Sequence, residues 1–155
     1  MAGCGGGSTE SVTRVETHRD EQPLPKTDYI ALGDVICKNH QSRTDDLERQ
    51  TIDLGRLDSR HKAHRVAELL RQQGDNLAAE AQELQALEPR PADVGTVGSI
   101  LGLVRSKADL IGKWAKAYDD LDTAGIRALQ TRIGVATAKA RNAARAYGFE
   151  VCGQE

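Results

Sequence analysis

An all-α fold, an up-down four-helix bundle, is predicted by three observations. Apolar residues recur at spacings of three and four along most of the chain after residue 26. Alternating runs rich in Val, Ile, Thr, Tyr and Phe are missing. Aromatics are scarce, with only Trp114, Phe149, Tyr29, Tyr118 and Tyr147, so Leu, Ile, Val and Ala must build the core, which favours helix packing. At 155 residues the chain fits one domain.

The first element follows a leader. Residues 5 to 26 are Gly, Ser, Thr, Glu, Arg, Asp and Pro with almost no apolar content. That composition cannot offset the entropy of ordering, so a flexible tether is expected over 1–26 and a bundle over 27–155. Helix one starts its stripe with Tyr29, Leu32, Ile36 and Leu47 and grows polar after His40. Gly55 is the expected break, and Asp58 or Ser59 the cap of helix two. Val66, Leu69, Leu70, Gln73, Leu77, Ala81 and Leu84 share one face of that second helix, and Gly74 inside it leaves room for a bend. Pro89 and Pro91 close it and open the next.

Helix three has two apolar stripes. Val97, Ile100, Leu101, Val104, Ala108, Ile111, Ala115 and Tyr118 form one, and Leu103, Leu110, Trp114 and Leu121 the other. A surface that wide predicts two neighbours. Asp122 or Thr123 caps helix four, and Ile126, Leu129, Ile133, Ala136, Ala140, Ala143, Ala144 and Tyr147 line its buried face. Gly148 supplies the left-handed stop.

The three cysteines predict two fates. In an up-down bundle the start of helix one and the end of helix four lie at one end. Cys37 and Cys152 are therefore expected to pair and close the domain. Such a pair implies an oxidising compartment. Ala2-Gly3-Cys4 puts small residues before a thiol, and Gly5-Gly6-Gly7-Ser8 gives a flexible exit, which fits lipid attachment at Cys4. Met1 stands where a Leu is usual. Anchoring through more than one acyl chain at Cys4 would be stable, so the expected location is the outer face of the cell membrane. A secretory apolar segment is missing, which is consistent with a start inside a signal peptide.

Val35-Ile36-Cys37, Leu84-Gln85-Ala86-Leu87-Glu88-Pro89 and Ala146-Tyr147-Gly148-Phe149-Glu150-Val151-Cys152-Gly153 together resemble small lipoproteins of actinobacteria, over about residues 26 to 153. Those proteins share a Gly-rich leader, an early Ile-Cys helix and a final Tyr-Gly-x-x-x-Cys-Gly. The resemblance implies a disulfide-closed helical domain outside the cell membrane and brings no activity with it. The polar stretch from Gln41 to Arg60 and the shortened leader depart from the pattern.

Chemistry is sparse. His61, His64 and Glu68 share a helical face and are weak candidates for a metal, since a zinc site needs three or four ligands. No Ser-His-Asp order, nucleophile elbow or phosphate loop occurs, so no enzyme and no cofactor are expected. Arg127, Arg132, Lys139, Arg141 and Arg145 lie on helix four with no acid between Ala124 and Tyr147, a candidate contact for an anionic surface. Against it stands a solvated face balanced by Asp45, Asp46, Glu48 and Asp53. Gly98 and Gly102 leave room beside Val97 and Leu101, a candidate ligand groove. A formal net charge of −2 gives no bias towards nucleic acid. These readings point to a lipid-anchored, non-catalytic envelope module that binds a partner protein or a small apolar ligand. The alternatives are a metal-binding protein or metal-dependent enzyme using His61, His64 and Glu68, or a structural spacer.

Overall fold

The computed structural model describes residues 22–54 and 59–154. Four helices follow in order: α1 (Lys26–Asp53), α2 (Arg60–Gln85), α3 (Val94–Asp119) and α4 (Thr123–Tyr147). They form the expected up-down bundle, and no strand occurs among the described residues. None of the helices is long and apolar enough to cross a membrane.

Local chemistry sets the helix ends. Pro25 precedes α1 with an extended backbone. Ser59 caps α2 by accepting from the Lys62 N–H at 3.3 Å. Asp122 caps α4 by accepting from the Gly125 N–H at 2.9 Å. At the far end of α4, Gly148 takes a φ of 120°. There the Phe149 N–H donates to the Ala144 carbonyl and the Gly148 N–H to that of Arg145, the Schellman arrangement.

The helix bounds follow the sequence closely. Helix α2 runs unbroken through Gly74 and ends at Gln85, before the prolines. The polar stretch after Gln41 is helical as far as Asp53. Order also begins slightly ahead of residue 27: half-buried Leu24 packs on the core, and its N–H donates to the Glu88 carbonyl at 3.0 Å. Cys4 and the tether up to residue 21, with Gly55 and Asp58, lie outside the described residues.

Packing is sequential: α1 on α2, α2 on α3, α3 on α4, while α1 and α4 do not pack on each other along their length. The two halves of the core show why. At one end Tyr29, Cys37, Ala81, Leu84, Val97, Ile100, Leu101, Ala144, Tyr147 and Phe149 bring all four helices and the tail together. At the other end Val66, Ala67, Leu70, Leu77, Ile111 and Ala115 come from α2 and α3 alone.

The joined end is stitched covalently. Cys37 and Cys152 form a disulfide with a Cα–Cα distance of 5.2 Å, across 115 residues of sequence. Around it the Tyr29, Tyr147 and Phe149 rings meet with centroids 5.5–6.2 Å apart. Buried Tyr29 donates its hydroxyl to the Leu84 carbonyl at 2.9 Å. Gly33 lets the Phe149 ring approach, since a Cβ there would lie 2.6 Å from its Cε1.

Candidate functional site

The open edge of the bundle is a cleft of about 500 Å³ between α1 and α4. Its floor is apolar: Leu70 and Leu77 from α2, Ile111 and Trp114 from α3, and Ile133 from α4. Thr44, Asp45, Glu48 and Thr51 of α1 make one wall. Thr137 and Arg141 of α4, with Lys107 of α3, make the other. The rim carries Ile52, which is 75 % exposed. This is a site that concentrates apolar contact below and places opposite charges on its two sides, the usual anatomy of a ligand cleft.

The sequence builds the cleft through the polarity of α1. Beyond Cys37 only Leu47 is buried on that helix. The helix is held to α2 by polar contacts instead. His40 Nδ1 lies 2.8 Å from Asn76 Oδ1, and its Nε2 lies 3.2 Å from Glu83 Oε1. Asn76 Nδ2 donates to the His40 carbonyl and to Thr44 Oγ1. Buried Asn76 thus finds partners for both its donor and acceptor groups. The buried Trp114 ring nitrogen has no acceptor.

The inner end of the cleft leads towards the disulfide. Leu77, Lys107 and Arg141 line both the cleft and a small inner cavity of about 30 Å³, which also borders Glu80 and Cys152. Glu80 is a buried carboxylate, 4 % exposed, with Oε1 3.4 Å from the Cys37 sulfur.

Asp34 was not legible as a functional residue. Its carboxylate accepts backbone N–H groups from Glu150 at 3.0 Å, Val151 at 2.9 Å and Cys152 at 3.1 Å. Three convergent donors hold the tail onto α1 beside the cross-link.

Other candidates fare differently. The four residues Val97, Gly98, Leu101 and Gly102 do not share a groove. Val97 and Leu101 are buried in the core, and a Cβ at Gly98 or Gly102 would meet nothing within 4 Å. The glycines face open surface because the helix turns its apolar stripe inward. His64 Nδ1 lies 2.7 Å from Asp119 Oδ1, and Glu68 accepts from Arg65 Nη1 at 2.6 Å. His61 is exposed. No group of three metal-ligating side chains comes together among the described residues. Asp119 also takes Arg71, and its carboxyl is held below the usual range, chiefly by the His64 hydrogen bond. This trio ties α2 to α3.

The five cations of α4 separate. Arg141 is half-buried in the cleft wall, and Arg145 donates to Asn142 Oδ1 at 2.8 Å. Arg132 and Lys139 flank a second groove on the outer side of the bundle, between α3 and α4. Arg127 is exposed near the start of α4.

No protein-family model matches this sequence, and comparison with curated proteins and with solved structures returns no similar protein.

Proposed function

We propose that this chain is a non-catalytic binding module of the cell envelope that takes a small apolar ligand into the cleft between α1 and α4. The observation that carries the reading is the unfilled edge of the bundle, floored by Leu70, Leu77, Ile111, Trp114 and Ile133. An apolar floor of that kind gains free energy when a ligand removes it from water, at roughly 25 cal/mol per Å². Hydroxyl and charged groups on the walls then select the ligand's polar end.

The location is part of the proposal. A disulfide joining residues 115 apart belongs to an oxidising space. Lipid attachment at Cys4, as in the actinobacterial lipoproteins that the motifs resemble, would hold the domain at the outer face of the membrane. Intact mass of the membrane-fraction protein, expressed from its full gene in its host, tests this. Added acyl mass and the loss of two hydrogens are expected, and unmodified protein with three thiols would contradict it.

Nile red, a neutral apolar dye, tests the cleft. Saturable one-to-one binding with a blue-shifted dye emission and a change in Trp114 fluorescence is expected. The Thr137→Phe variant fills the wall and should weaken binding at least tenfold while circular dichroism stays unchanged. Equal binding by this variant would place the dye elsewhere and defeat the reading.

A further inference from the structure

We propose that the outer face of the α3–α4 pair is a seat for an anionic lipid bilayer. The groove there, about 400 Å³, is floored by Leu103, Leu110 and Val135 and flanked by Arg132 and Lys139. Ser106 and Thr131 add hydroxyls at its edge, and no carboxylate lines it. Val135 is 53 % exposed although it is a large apolar side chain on a helix with ample polar surface elsewhere.

Two features select a bilayer over other anionic partners. Arg132 and Lys139 stand seven residues apart, two helical turns, so both project from one side of α4. They would meet lipid phosphates at the same depth, with the Ser106 hydroxyl as a further donor. Beside the cations, in the same groove, lie Leu103, Leu110 and Val135, which gain only from a partner with an apolar layer beneath its charge. A hydrated acidic polymer would satisfy the cations and leave those three side chains in water. Helix α4 carries no acidic residue, so nothing on it repels such a surface.

This seat is separate from the cleft, and its test is independent of it. The full chain carrying Cys4→Ser, so that no lipid anchor contributes, is sedimented with vesicles of phosphatidylglycerol mixed with phosphatidylcholine, and with vesicles of phosphatidylcholine alone, at low ionic strength. Binding to the anionic vesicles only, weakening as salt is added, is expected. The Arg132→Gln/Lys139→Gln double variant should bind about 30-fold more weakly, from about fivefold per cation near a charged surface. Val135→Ser should weaken binding several-fold with its charge unchanged. Arg127→Gln should leave binding unaltered, since Arg127 projects about 140° round the helix from Arg132. The proposal is overturned by no anionic-vesicle binding at low salt, by equal loss in Arg127→Gln, or by full binding in Val135→Ser. Binding to soluble polyglutamate but not to vesicles would assign the face to an acidic polymer instead.

Discussion

Tyr29 concentrates several roles in one side chain. Its ring joins the aromatic cluster, its hydroxyl donates to the Leu84 carbonyl, and burial pushes its phenol up to about 12 from an ordinary 10. Tyr147 nearby raises it further. The sign follows from linkage: a raised folded-state value means that the fold favours the neutral phenol. The contribution is complete below pH 10 and is lost as pH rises towards about 12. Urea midpoints should therefore fall over that window, and in Tyr29→Phe the fall should shrink. An identical alkaline profile for the two proteins would contradict the role given to Tyr29. Single residues were also where the sequence was least readable. Tyr29 and Leu47 announce burial by their spacing, whereas Gly33, Asp34, Asn76 and Glu80 look like surface positions of a polar helix. Their partners are Phe149, the tail amides, His40 and the Cys37 sulfur, 36 to 118 residues distant in sequence, and no local pattern encodes such contacts.

Among the elements, α2, α3 and α4 were legible because each has a wide apolar stripe, and α2 and α4 have recognisable caps as well. Ser59, Asp122 and Gly148 act as their residue types suggest. Helix α1 was half legible. Its apolar stripe thins after His40, because α1 touches only one helix there and needs little apolar surface. The same fact hid the cleft: threonines and carboxylates on a polar helix become a wall only once α4 stands opposite. The groove expected at Val97, Gly98, Leu101 and Gly102 was misplaced for a related reason. Glycine spacing shows where a backbone could approach, but not whether one does. Beside the disulfide, Asp34 ties the tail to α1 through hydrogen bonds. Asp34→Ala should remove three charge-assisted hydrogen bonds and cost about 2–4 kcal/mol, allowing for partial exposure. Chemical unfolding at neutral pH measures it. A change below about 0.5 kcal/mol, the level typical of an inconsequential surface substitution, would show that the cross-link alone suffices.

At the scale of the whole molecule, a row of four helices is folded into a cup by a covalent tie at one end. The disulfide and aromatic cluster draw α1 and α4 together there, and the two-helix core at the other end lets them part. In the chain-entropy model a loop of this length contributes up to about 5 kcal/mol. Its functional weight lies in position, since it fixes the α1 wall over an apolar floor that α1 itself scarcely covers. Cross-link, cleft and fold are therefore one argument, and reduction reaches all three. The most direct measurement is a Nile red titration on one preparation before and after complete reduction of the disulfide, with helicity followed in parallel. The oxidised protein should bind one dye per chain; the reduced protein should lose most of that affinity and part of its helix as α1 detaches. Undiminished one-to-one binding by a fully reduced chain would contradict the account.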